Sequence, residues 1–195
     1  MKPINDEKLS AALNLLEERL RIAGAPKMGL VVCGGSALIA TRLVSRTTKD
    51  VDIVALMSAT HDLIDPEPLP ESLVLAAAIV AENLNLPANW LNCEPRDLFR
   101  MGLPEGFLLR LIKHDIGPCL AVYFISRLDQ IHFKLYASVD RGGYHIDDLM
   151  ALNPETDELV QAARWSMTHD VSAGYADSLK NLLGELGYGE AAARL

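Results

Sequence analysis

The stretch Val31 to Leu56, "VVCGGSALIATRLVSRTTKDVDIVAL", constrains the fold more than any other part of the chain. An apolar, β-branched run (29–33) ends in Gly34-Gly35-Ser36, and Asp50-x-Asp52 opens a second apolar run (50–57). Short runs of this kind read as buried strands, and the segment between them (36–45) reads as a helix. Gly-Gly-Ser at a strand-to-helix turn leaves backbone N–H groups unpaired and lets a ligand come close to the backbone. Ordinary turn chemistry explains such a turn equally well. Alternate strand residues project to one face, so Asp50 and Asp52 point the same way while Val51 and Ile53 point inward. Two adjacent carboxylates repel unless a cation lies between them, although a solvated face is the commoner setting for exposed acids. Together, the turn and the acids fit a strand–turn–helix–strand unit that holds a nucleotide's phosphates at one end and their Mg²⁺ at the other.

The remaining pattern predicts an α+β protein, a mixed sheet flanked by helices with a helical C-terminal portion. Asn5 caps a helix to about residue 23, with Leu9, Leu13, Leu16 and Leu20 on one face. Proline-rich 65–71 is a loop, 71–85 is helical and 86–96 is irregular. Segments 107–113 and 120–126 read as a hairpin around "HDIGP". Helices follow at 129–139, 146–152, 155–169 and 172–186, with Gly142-Gly143 as a break. The domain reading is an α/β core over 1–128 and a helical portion over 129–195 that completes the site. The tail from residue 155 offers amphipathic helices to cover the core or to form a dimer face.

Acidic residues outnumber basic ones by 26 to 18, for a net charge of −8, so whole-protein attraction to nucleic acid is not expected. The 3 cysteines, Cys33, Cys93 and Cys119, show neither disulfide nor zinc spacing and read as reduced thiols. No stretch approaches the roughly 18–20 apolar residues of a membrane span. The charged, amphipathic opening lacks a signal core, which points to a cytoplasmic protein. "HDIG" at His114–Gly117 reads as a turn rather than a metal site, because no further His or Asp ligands accompany it on helices. Trp90 and Trp165 read as core anchors.

The motif pair Gly-Ser…Asp-x-Asp resembles the signature of the nucleotidyltransferase superfamily, which includes polymerase beta. "RTTKDVDIV" resembles the form found in AbiEii-type enzymes of abortive-infection toxin–antitoxin systems. "DQIHFKLYASVDRGGYHIDDLMAL" resembles their later lysine–aspartate motif, and "WLN" at Trp90–Asn92 is similar to these relatives. The resemblance implies that Gly34, Gly35, Ser36 and Arg46 hold nucleotide phosphates. Asp50 and Asp52 would bind Mg²⁺ or Mn²⁺, Lys134 would contact the nucleotide, and Asp148, with or without Asp147, would be a distal catalytic acid. It further implies an NTP substrate, tRNA or a protein as acceptor, and an antitoxin partner or a homodimer. Read on their own, Lys134 suits a side chain that packs its stem and snorkels its amine, and Asp147–Asp148 suit the start of a helix. Polymerase-beta-like members carry a third carboxylate on a later strand. Neither later strand here holds one, although Asp115 stands in the expected loop between them. A catalytically inactive binding or regulatory protein on the same fold is the alternative reading.

Overall fold

The computed structural model describes residues 3–195, which fall into two compact units, one ending at Ser126 and one spanning Arg127–Leu195. The first unit is a mixed sheet with flanking helices. Helix α1 (Asp6–Ile22) begins where the Asn5 side chain accepts a hydrogen bond from the Lys8 N–H at 3.0 Å. Asp6 and Glu7 in its first turn and Arg19 and Arg21 in its last complement the helix dipole. Its Leu9, Leu13, Leu16 and Leu20 enter the core, as the spacing predicts.

Strand β1 (Met28–Cys33) lies centrally, antiparallel to β2 (Val51–Met57) and parallel to β6 (Leu120–Phe124). The register steps from Val31 opposite Ala55 to Val32 opposite Ile53, so Val54 is a bulge residue on β2. Beyond the bulge, Cys33 faces Asp52. The outer edge of β2 is shared. The short β3 (Leu63–Ile64) pairs with its end, and β4 (Leu91–Asn92) runs parallel to its first two residues. Helix α3 (Glu71–Leu84) packs on α1 and ends at Asn85 in the left-handed conformation. Trp90 is fully buried, and its indole N–H donates to the Ala77 carbonyl at 2.9 Å, which anchors the chain as it enters β4.

Several expected boundaries move. Helix α2 covers Gly34–Ala40 rather than 36–45. It stops because the Thr41 hydroxyl caps the Ala37 carbonyl at 2.6 Å and Arg42 turns to φ 57°. Segment 86–96 holds β4, and α4 (Arg96–Met101) follows it. The expected strand 107–113 begins as a 3₁₀ turn (Phe107–Arg110) entered through Gly106 at φ 72°, because Phe107 turns into the core. Strand β5 is therefore Ile112–Asp115. His114 and Asp115 belong to this exposed edge strand and not to the connecting loop. Gly117 in the turn lies against Glu17, whose carboxylate accepts from the Cys119 N–H at 3.4 Å. A Cβ on Gly117 would stand 2.5 Å from that carboxyl carbon.

The second unit holds α5 (Arg127–Arg141), α6 (Tyr144–Ala151), α7 (Thr156–His169), α8 (Ala173–Glu185) and α9 (Gly189–Ala193). Gly142 and Gly143, both at φ 56°, break α5 from α6. Arg127 ties the α6–α7 connection together. Its guanidinium donates to the Leu152 and Asn153 carbonyls at 2.9 and 2.7 Å and pairs with Glu158 at 2.6 Å. Glu158 also closes a capping box with Glu155. Trp165 centres an aromatic cluster, with the Phe133 and His169 ring centroids 5.7 and 4.4 Å away.

Candidate functional site

The glycine turn and the paired acids meet at the end of β1. Gly34 turns at φ +70°, and a Cβ there would lie 2.6 Å from Asp52 Oδ2. A Cβ on Gly35 would lie 2.7 Å from Thr48 Oγ1 and 3.1 Å from Arg46 Nη2. Glycine is therefore required at both positions: at Gly34 by φ and by the carboxylate, at Gly35 by the side chains packed against it. The strand–turn–helix–strand unit thus brings Gly34, Gly35, Arg46, Asp50 and Asp52 into one cluster.

Neighbours hold each carboxylate. The Thr48 hydroxyl donates to Asp50 Oδ1 at 3.2 Å. Thr48 is itself fixed by a two-way backbone bridge with Ile4, at 2.7 and 2.9 Å. The Asn92 amide donates to Asp52 Oδ1 at 3.1 Å, because β4 sets Asn92 opposite Asp52. Thr48 and Asn92 are the members of the cluster that the sequence pattern does not single out. The only trace of Asn92 was the "WLN" likeness. Arg46 donates Nη1 to the Thr47 carbonyl at 2.9 Å, which keeps its guanidinium beside the turn. Ser36 is fully buried, and its hydroxyl donates to the Cys33 carbonyl at 3.3 Å. Its hydroxyl thus serves the turn itself.

The second unit holds the other expected pair. Lys134 Nζ stands 2.7 Å from Asp148 Oδ2, with side chains only 6% and 4% exposed. The Lys134 ammonium also lies 5.6 Å from the Tyr144 ring centroid. The partner that α5 does not offer Lys134 comes from α6. Lys134 does not snorkel to water, and its Ser138 neighbour caps its carbonyl at 2.6 Å. Asp148 is buried, whereas Asp147 is exposed in the first turn of α6.

Asp115 does not supply a third carboxylate to the aspartate cluster. It faces Ala121, which faces Gly29, at the far end of β1 from Cys33. Four residues of strand rise amount to roughly 13 Å. Asp115 instead pairs with Lys113 at 2.8 Å and Lys27 at 3.3 Å, and these two ammonium groups hold its carboxyl below the usual carboxylate range. The residues that occupy the site end of these strands are Ile112 and Phe124, and neither is a ligand.

Arg96, Arg100, Arg110 and Lys113 are candidate cations for a nucleic-acid face. Arg100 binds Asp65 and Glu67 at 2.7 and 2.9 Å, Arg96 binds Glu67 at 2.6 Å, and Lys113 binds Asp115. Arg110 donates to the Glu105 carbonyl at 2.8 Å. Acidic neighbours thus neutralise Arg96, Arg100 and Lys113.

Mg²⁺ commonly takes one or two carboxylates and completes its shell with substrate phosphates and water. Asp50 and Asp52 fit that mode. They are hard oxygen donors at alternate positions entering β2, they are held by Thr48 and Asn92, and Asp52 lies against the glycine turn. Among the described residues, no group of three or more His, Cys, Asp or Glu could hold a metal ion unaided. No helix there is long and apolar enough to cross a membrane.

A family model described as a nucleotidyltransferase of unknown function matches residues 7–153, and the chain belongs to that family. The match takes in both the aspartate cluster and the Lys134–Asp148 pair. No curated protein and no solved structure matches the chain significantly.

Proposed function

We propose that this member of the nucleotidyltransferase family transfers a nucleotidyl group from an NTP to a hydroxyl acceptor at the Asp50/Asp52 cluster. The observation that carries the reading is the approach of Asp52 Oδ2 to Gly34, 2.6 Å from where a Cβ would stand. That approach brings carboxylates, the Arg46 guanidinium and bare backbone together in one place. Gly34, Gly35 and Arg46 take the phosphates, with Ser36 shaping the turn through its Cys33 bond. Asp50 and Asp52 would hold Mg²⁺ or Mn²⁺, which when bound neutralises phosphate charge and orients the α-phosphate. The acceptor oxygen bonds to the α-phosphorus, the bond from that phosphorus to the bridging oxygen breaks, and pyrophosphate leaves. Asp50 receives the acceptor's proton.

The likeness to AbiEii-type enzymes supports a role for Lys134 on the nucleotide and for Asp148 as an acid. It also supports tRNA or a protein as acceptor, and a toxin held in check by an antitoxin. An RNA acceptor needs a cationic face. The pairing of Arg96, Arg100 and Lys113 with acids weighs toward a protein hydroxyl.

A second reading, an inactive binding protein on the same fold, draws on the position of Asp115 away from the cluster. Incubation with each α-labelled NTP, Mg²⁺ or Mn²⁺, and either cell protein or tRNA separates the two. Label transferred by wild type and lost in Asp52→Ala supports the enzyme. Metal-dependent NTP binding with no transfer to any acceptor supports the binding protein.

A further inference from the structure

The middle of helix α3, residues 73–81, is apolar on every side. Leu73, Ala76, Ala77 and Val80 are buried inward, while Val74, Leu75 and Ile79 are 50%, 60% and 41% exposed outward. Ala78 lies with them on the exposed side, and Ile22 at the end of α1 is 63% exposed. A helix with two apolar faces belongs inside an assembly, and a contiguous apolar patch marks an interaction surface. Leu75 and Ile79, one turn apart, line with Glu71 and Ser72 a groove of about 520 Å³ whose other wall is Arg19 of α1 and the Ala23 that caps it.

We propose that this face docks a second copy of the chain through an antiparallel α3–α3 contact, with the two-fold axis between Leu75 and Ile79. Self-complementary charge selects this occupant. Arg19 borders the groove together with Ser72, and its Nε is buried with no hydrogen-bond partner among the described residues. The charged residues of α3 are Glu71 and Glu82, and both are acidic. A two-fold between Leu75 and Ile79 sets each Leu75 against the other copy's Ile79, and each Ser72 against the other copy's Glu82. Glu82 of the second copy then reaches Arg19, and the same contact repeats on the other side of the axis, as an isologous interface requires. Glu71, which also lines the groove, meets Asn83 of the second copy. Ala78 beside the axis lets the helices come close. A lipid surface is the weaker fit, because the rim glutamates and a net charge of −8 repel anionic headgroups. This interface is independent of the proposed chemistry.

The test is sedimentation velocity over a micromolar concentration series. Wild type is expected to sediment as a dimer, and Leu75→Glu as a monomer with an unchanged far-UV circular dichroism spectrum. Arg19→Glu and Glu82→Arg alone should each weaken dimerisation about tenfold, and the double reversal should restore it, since a partly buried charge pair fixes register. A monomeric wild type overturns the proposal, and cosedimentation of that monomer with phosphatidylcholine vesicles would reassign the face to lipid. A dimer indifferent to Leu75→Glu also overturns it. A double reversal no tighter than the single variants overturns the antiparallel register.

Discussion

Asn92 Nδ2 stands 3.1 Å from Asp52 Oδ1, and this contact joins residues forty positions apart. It exists because a two-residue strand, β4, runs parallel to the first residues of β2. The amide fixes one carboxylate oxygen and so sets the direction of the other. Asn92→Ala is therefore expected to weaken metal-dependent NTP binding by about tenfold while costing the fold ~1 kcal/mol. Calorimetric titration and urea unfolding measure the two effects. A variant that binds NTP as wild type does would remove Asn92 from the site.

Gly34 is the position where a methyl group does most damage. Alanine at φ +70° costs about 1–2 kcal/mol in backbone energy alone, and its Cβ would press on Asp52 Oδ2. Gly34→Ala should lower the thermal midpoint and abolish NTP binding, whereas Gly24→Ala, at φ +66° with open space around it, should lower the midpoint only. Scanning fluorimetry with and without Mg²⁺–NTP compares them.

The unit from β1 to β2 is legible in the sequence because its signals are local. β-branched residues mark the strands, glycines mark the turn, and period two places Asp50 beside Asp52. The Asn5 cap and the leucine spacing of α1 are equally local. Strand β4 is not legible, because two residues after Pro87 carry no periodicity and their pairing comes entirely from β2. The early end of α2 depends on Arg42 adopting a left-handed conformation that arginine does not advertise. The pairing of Arg96 and Arg100 with Asp65 and Glu67 spans about thirty positions, so no local pattern reveals it. Lys134 and Asp148 stood out individually, but only the break at Gly142–Gly143 lets α6 return its acid to α5.

The Lys134–Asp148 pair should behave as a buried ion pair. Losing one partner strands a charge in the interior, so Lys134→Met or Asp148→Leu alone should cost ~3–5 kcal/mol. The double variant Lys134→Met/Asp148→Leu should recover most of that loss, because no charge is left buried. Chemical denaturation of the four proteins gives the coupling. Additive losses would mean that the two groups do not share one interaction.

Asp65 gives a pH signature. Its hydrogen bond from the Arg100 guanidinium, aided by the Glu67 backbone N–H, holds its carboxyl below the usual carboxylate range. A depressed carboxylate contributes stability above its unfolded pKa and loses it as pH falls through the folded value. The stability gap between wild type and Arg100→Gln should thus be present at neutral pH and close in acid. Because both side chains are exposed, the gap should also shrink in high salt. Carbon-detected carboxyl titration should show Asp65 returning toward its ordinary value in Arg100→Gln.

Calorimetric titration of each NTP, with and without Mg²⁺, on wild type and on Asp50→Ala/Asp52→Ala tests the central claim most directly. The account requires binding of at least one NTP that depends on the metal and disappears in the double variant while its unfolding transition stays cooperative. Metal-dependent NTP binding that survives loss of both carboxylates, or the absence of any NTP binding by wild type, would contradict it.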